Sequence, residues 1–462
     1  MKAKLAFVIF FVVTLLAIPA HSQGLLKRIK PWLYPDDSLD ALGAKRMQPP
    51  ELPFGGEDFG EKRASILTNF SSQLTDTQSF SDSVQALWVS HYASGLVSVD
   101  DIATATGVDE SGNIYVTGYS EGSGTSNDYA TVKYNASGVE QWVARYNGPG
   151  NSDDSATALA IDAAGNVYVT GNSRGSGTSY EYATVKYNTS GVEQWVARYN
   201  GPGNSVDRAT ALAVDAAGNV YVTGNSVGSG ISNDYATVKY NASGVEQWVA
   251  RYTGPGNLAT ALAVDTAGNV YVAGYSRSGT SLYDYATVKY NASGVEQWVA
   301  RYNGPGNSDD SATALAVDAA GNVYVTGYSG GASTSSDYAT VKYNASGVEQ
   351  WVARYSYTGP GNSADSATAL AVDAAGNVYV TGNSLSSVTF DDYATVKYNA
   401  SGVEQWVARY NGPGNSDDSA TALAVDAAGN VYVTGYSEGA GTSSDYATVK
   451  YNASGVEQWV AR

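Results

Sequence analysis

The chain has 462 residues, 51 of them Gly and 36 Tyr, with no Cys, 43% hydrophobic and only 15% charged residues. That balance excludes a disordered polymer, and the missing thiols exclude disulfides, thiolate catalysis, Fe–S clusters and Cys-based zinc sites. Lys plus Arg number 26 against 44 Asp plus Glu, a net charge of −18. The chain therefore lacks the positive field that nucleic acid or an anionic membrane requires. Only two histidines, His21 and His91, are present. They leave little room for histidine metal clusters or Ser-His-Asp chemistry. The Gly and Tyr excess predicts many short strands and tight turns.

Lys2 and Lys4 precede an apolar run over residues 5–18, broken only by Thr14, and Ala20-His21-Ser22 follows as a small-x-small cleavage pattern. Residues 1–22 thus read as a secretory signal peptide. The run is short of the ~20 residues that cross a bilayer, so no transmembrane segment is expected after cleavage. The expectation is a secreted or cell-surface protein. Its lack of cysteines leans toward a bacterial source. Residues 23–85 are not repetitive. Gln48-Pro49-Pro50-Glu51-Leu52-Pro53 and Phe54-Gly55-Gly56 read as linker within a leader that is partly disordered.

The remainder, 86–462, is a tandem array marked by Trp88, Trp142, Trp195, Trp248, Trp298, Trp351, Trp406 and Trp459, at spacings of 54, 53, 53, 50, 53, 55 and 53. Eight marks bound seven units, which imply one local structure seven times. In the unit that holds Trp195, alternating Ala156 to Asp162 predicts strand a. Asp162-Ala163-Ala164-Gly165 predicts a type I turn closed by a left-handed glycine. Asn166 to Gly171 predicts strand b, and a Gly/Ser-rich loop follows over 172–179. Tyr182 to Tyr187 predicts strand c, Asn188 to Gly191 a second such turn, and Val192 to Tyr199 strand d. Four antiparallel strands at this period, seven times over, predict an all-β, seven-bladed β-propeller. Strand a, small and Thr-rich, suits the crowded innermost position.

The pattern Asp-Tyr-Ala-Thr-Val-Lys-Tyr-Asn-x-Ser-Gly-x-x-x-Trp, followed by Ala-x-Ala-x-Asp-x-x-Gly-Asn-Val-Tyr-Val-Thr-Gly, resembles the bacterial SBBP family of β-propeller repeats over residues 86–462. The resemblance implies the fold and an exported or surface setting, and supplies no catalytic residues. One feature departs from a simple ring. Strands a, b and c occur seven times and strand d eight times, so the Trp88 and Trp459 copies compete for one place. The local Asn452-Ala453-Ser454-Gly455 hairpin predicts that the Trp459 copy lies beside Lys450.

Nearly equal units argue for binding or scaffolding over catalysis, which needs unlike groups in one pocket. Each strand c carries a lysine, such as Lys133, with an acid before it, such as Asp128, and a glutamate after it, such as Glu140. Cross-strand ion pairs are expected among them. The Asn-x-Ser/Thr triplets from Asn135 to Asn452 read as turn starts ahead of glycosylation sites. His91 stands where other units have Arg and reads as a tolerated substitution. The d–a loops hold the acid pairs Asp153-Asp154, Asp309-Asp310 and Asp417-Asp418. Such pairs cap strands, or bind Ca²⁺, the one cofactor the sequence leaves open. The b–c loops vary most, with Glu121, Arg174 and Arg277 at equivalent places. Propeller topology sets b–c and d–a loops on one face. These residues and the acid pairs are therefore the candidate ligand-binding set, and a glycan or a cell-envelope protein the expected partner. A polysaccharide lyase or hydrolase with a central pocket, and a structural envelope spacer, are the alternatives.

Overall fold

The computed structural model describes Ser90, Tyr92 and residues 101–462, apart from loop residues 123–125, 178, 229–231, 255, 278–281, 333–334, 358–363, 386–389 and 440–443. The signal, the leader, Trp88 and His91 lie outside the described residues.

Seven four-stranded antiparallel sheets follow one another, each ordered a-b-c-d. They form the blades of a β-propeller. Blade 2 has strands a (Asp154–Ile161), b (Val167–Arg174), c (Tyr180–Tyr187) and d (Glu193–Tyr199). Blade 1 spans 101–146, blade 3 207–252, blade 4 258–302, blade 5 310–355, blade 6 365–410 and blade 7 418–461. No helix occurs among the described residues. The strands run longer than the sequence pattern suggests. Asp154 belongs to strand a itself, and Arg174 closes strand b.

The predicted turns are present. Gly165 has φ 80° and its N–H donates to the Asp162 carbonyl, which closes the a–b hairpin. Asp162 Oδ1 accepts from Ala164 and Asn166 N–H, while Oδ2 accepts from Asn166 Nδ2 and Tyr168 Oη. Burial alone would raise this carboxyl. The hydrogen bonds from Asn166 and Tyr168 outweigh it and hold the group below the usual carboxylate range. Asn135 uses its Oδ1 in the same way, accepting from Ser137 and Val139 N–H. The triplet asparagines thus serve the turns.

Strands a of successive blades touch one another, so strand a is innermost. The core lies between blades. Tyr115, Tyr129, Ala144 and Tyr146 of blade 1 pack with Ala156, Val167, Val169, Ala183 and Val185 of blade 2. Polar bonds knit the same junction. Thr104 Oγ1 donates to Ala156 O at 2.8 Å, Tyr129 Oη to Ala183 O at 3.2 Å, and Trp142 Nε1 to Thr189 O at 3.1 Å.

The expected Lys–acid pairs are corrected. A β-bulge between Lys133 and Tyr134 sets Lys133 opposite Trp142 and moves Glu140 opposite Tyr134. Lys133 Nζ lies 5.0 Å from the Tyr115 ring instead, and its counterparts do the same in every blade. The acid at the start of strand c pairs with the strand d arginine, as in Arg198–Glu181 at 2.9 Å and Arg251–Asp234 at 2.8 Å.

Lys450 stands opposite Trp459, so the last strand d completes blade 7. The first copy has another place. Tyr92 packs with Ile114, Val116, Val132 and Tyr134 of blade 1, and Arg145 Nη1 donates to its hydroxyl at 2.9 Å. Tyr92 therefore stands to blade 1 as Tyr146 stands to blade 2. The junction of blade 7 with blade 1 differs from the other six. Tyr446 is 38% exposed, whereas its six counterparts from Tyr129 to Tyr393 are fully buried. Ala103 is exposed where Ala156 and its counterparts are fully buried. The ring thus has one seam.

Candidate binding face

The b–c and d–a loops meet on one face, and backbone bonds tie them together. Gly150 N–H donates to Arg174 O at 3.1 Å in blade 2, and Gly203, Gly306 and Gly414 repeat the bond to Val227, Gly330 and Glu438. Each of these d–a loops is Asn-Gly-Pro-Gly-Asn. Its last residue, Asn151 in blade 2, sits at φ 45° and accepts from Asn147 Nδ2 at 2.7 Å. Asparagine tolerates that left-handed backbone better than most residues. In blade 2 the two loops enclose an open cleft of about 580 Å³, lined by Pro149, Asn151, Ser152, Arg174 and Ser176 among others.

The acid pairs divide into an inner and an outer member. Asp154, Asp310 and Asp418 are fully buried. Asp154 accepts from Gly148 N–H and Arg174 N–H, Asp310 from Gly304 and Gly330 N–H, and Asp418 from Gly412 and Glu438 N–H. Each thereby pins its own d–a loop to its own b–c loop. Desolvation raises the Asp154 and Asp310 carboxyls, and the N–H bonds temper the rise. Asp153, Asp309 and Asp417 are exposed, and each reaches back to the preceding blade. They accept from the N–H of Asn127, Tyr283 and Asp391 at 3.4, 3.0 and 3.2 Å. Calcium needs six to eight oxygens. Within each pair the inner carboxylate is committed to backbone N–H groups. Among the described residues, no three acidic or histidine side chains converge to hold a metal ion.

Asp207 takes the inner place in blade 3 without an acidic neighbour, accepting from Gly201 N–H at 2.7 Å. In blade 4 a shorter loop brings Asn257 to that place, fully buried, with Nδ2 donating to Tyr252 O at 3.0 Å.

Of the variable residues, Glu121 ends strand b of blade 1, Arg174 that of blade 2 and Arg277 that of blade 4. Arg277 lies 4.7 Å from the Tyr283 ring and donates to its hydroxyl at 3.0 Å. Arg174 stands opposite Tyr180. The structure adds Arg208 and the two tyrosines to the set. Arg208 Cζ is 5.8 Å from the Tyr180 ring, so it reaches across from blade 3 to blade 2. Its signal in the sequence is an arginine where Ser155, Ser311, Ser366 and Ser419 stand in other units.

The SBBP beta-propeller repeat matches six times, over residues 141–177, 194–231, 247–279, 297–333, 350–388 and 405–441. The chain belongs to the SBBP repeat family. No curated protein matches it in sequence. Solved structures of similar fold include a eukaryotic initiation factor, at 8% identity and TM-score 0.42, covering 80% of this chain and 91% of that one. Another is the β-propeller domain of the Trilobed protease from Pyrococcus furiosus, which has an open velcro topology, at 9% identity and TM-score 0.44, with 75% and 94% covered. A third is a polysaccharide lyase of family PL25, an ulvan lyase bound to a GlcA–Rha3S saccharide, at 12% identity and TM-score 0.44, with 75% and 91% covered. At such identities the likeness shows the fold alone. In this SBBP chain the opposite face is held constant by the Asx-type turns, and the loop face carries the variation.

Proposed function

We propose that this SBBP propeller is an exported binding module whose loop face contacts a glycan. The observation that carries the reading is where the chain differs from itself. Units that agree at nearly every strand and turn diverge in the b–c loops, which share a face with the cleft beside Arg174. Loops on a rigid scaffold are where specificity resides. The cleft wall of Gly, Asn, Ser and Arg offers donors and acceptors suited to hydroxyl groups. Residues 1–22 support export.

The test is retention of the protein, starting after residue 22, on immobilised bacterial and plant polysaccharides, with calcium and with chelator. Retention without release of soluble sugar supports a binding module. Release of sugar would replace it with the lyase or hydrolase reading, and no retention on any polysaccharide would overturn the glycan contact.

A further inference from the structure

Beyond residue 85 the chain has seven strand c lysines, seven strand d arginines and three other arginines: Arg174, Arg208 and Arg277. The two sevenfold sets are built into the blades. Each lysine lies against a tyrosine ring, and each strand d arginine is held in an ion pair. The other three are exposed, and none forms an ion pair among the described residues. All three lie on the loop face of consecutive blades 2, 3 and 4, beside Tyr180 or Tyr283. The positions equivalent to Arg174 and Tyr180 bear acids in the other sector, as Glu121 in blade 1, Asp391 in blade 6 and Glu438 in blade 7. Among the described residues, the three arginines outside the sevenfold sets thus gather on one sector of one face.

We infer that the loop face of blades 2–4 binds an acidic polysaccharide, whose carboxylate or sulfate groups meet Arg174, Arg208 and Arg277. The inference rests on the glycan reading above and names its chemistry. A guanidinium presents a planar fork that fits either group through two parallel hydrogen bonds. Tyr180 and Tyr283 hold the neighbouring guanidinium groups by cation–π contact, which limits the rotamer freedom lost on binding. The arginines occur at intervals along consecutive blades, and a polymer with an anion on each repeat supplies matching charges. Apart from Pro149 the wall around Arg174 is Gly, Asn, Ser and Arg, and among the described residues it holds no aromatic or branched aliphatic side chain of the kind that anchors a peptide partner.

The experiment compares wild type with the triple variant R174L/R208S/R277L in binding to a polygalacturonate, a sulfated galactan, a neutral β-glucan and polyglutamate. Each replacement is the residue that another blade carries at that place, as Leu385 or Ser155, so the variant keeps repeat-compatible side chains. Thermal melting checks its fold, and the single variant R208S serves if the triple does not fold. The expected result is wild-type binding to both acidic polysaccharides that weakens at high salt and falls at least tenfold in the triple variant. Tight binding to the neutral glucan alone, or acidic binding unchanged in the variant, would overturn the inference and leave the glycan reading standing. Polyglutamate bound as tightly as polygalacturonate would overturn the sugar part. Retention on none of the polysaccharides would overturn both readings.

Discussion

Arg198 Nη1 donates to Tyr146 Oη over 2.7 Å, joining strand d of blade 2 to strand d of blade 1. The same guanidinium donates to Ser173 Oγ and Ser173 O and pairs with Glu181, so one side chain holds strands b, c and d and the preceding blade. Arg145, Arg251, Arg301, Arg354, Arg409 and Arg462 repeat the bond to the preceding tyrosine. Arg198→Ala leaves Glu181 buried without its cation and is expected to cost about 2–4 kcal/mol. Tyr146→Phe removes one hydrogen bond and is expected to cost about 1 kcal/mol. Lysine has no planar fork, so Arg198→Lys should recover little of the loss. Urea denaturation checks all three, and an Arg198→Lys variant as stable as wild type would refute the network's role.

Two glycines with nearly equal backbone angles should respond differently to alanine. Gly191 has φ 78° and Gly177 φ 77°. A Cβ on Gly177 meets nothing within 4 Å, whereas one on Gly191 would lie 2.6 Å from Cδ2 of Trp142 in the preceding blade. Gly177→Ala carries only the left-handed backbone penalty, about 1–2 kcal/mol. Gly191→Ala adds displacement of the indole that seals the blade junction and should cost at least about 2 kcal/mol more. Equal shifts in the denaturation midpoint would show that Trp142 yields without cost.

The period, the hairpin turns and the blade count were legible because each depends on local spacing. Asp162, Gly165 and Asn188 act within six residues of themselves. The ion pairs were not legible. Lys133 and Glu140 flank one hairpin and look like partners, but Glu140 stands opposite Tyr134 and the bulge sets Lys133 opposite Trp142. A bulge has no sequence mark here beyond a hairpin one residue too long. The acid pairs mixed two roles, because Asp154 serves its own blade and Asp153 the one before it. Only the packing of blades separates them. Arg208 was missed for the same reason, since its tyrosine belongs to the preceding blade.

The seam predicts where the propeller opens first. Strand a of blades 2–6 is packed by a neighbour on each side, whereas blades 1 and 7 each have a side on the seam. Thr368 Oγ1 donates across a junction to Ala420 O at 2.7 Å, while Thr421 Oγ1 bonds Thr434 O within its own blade. Amide exchange is expected to be fastest in blades 1 and 7 and slowest in blades 3–5, because local opening follows missing contacts. Uniform protection in all seven innermost strands would mean that the ring is sealed in solution.

Asp365 gives the propeller a stability that depends on mild acid. It holds the inner loop position of blade 6, fully buried, and Oδ2 accepts from Tyr357 N–H at 2.9 Å. Oδ1 has no hydrogen-bond partner among the described residues, because the Leu385 N–H turns to the Ala364 carbonyl. In blade 2 the equivalent Arg174 N–H reaches Asp154. Burial therefore pushes the Asp365 carboxyl up to about 6, with the Ser384 and Tyr357 bonds opposing it. An unfolded aspartate titrates near 3.9, so the folded state binds this proton more tightly. Below about pH 4 both states are protonated and the group has no effect; as pH rises toward 6 its contribution falls, and above 6 the full cost is present. Asp365→Asn removes that cost while keeping an acceptor for Tyr357. The variant should gain stability relative to wild type between pH 4 and pH 7, by up to about 3 kcal/mol. Denaturation of both proteins at pH 4 and pH 7 measures it, and a difference that does not change with pH would show that Asp365 is ionised at ordinary carboxylate pH.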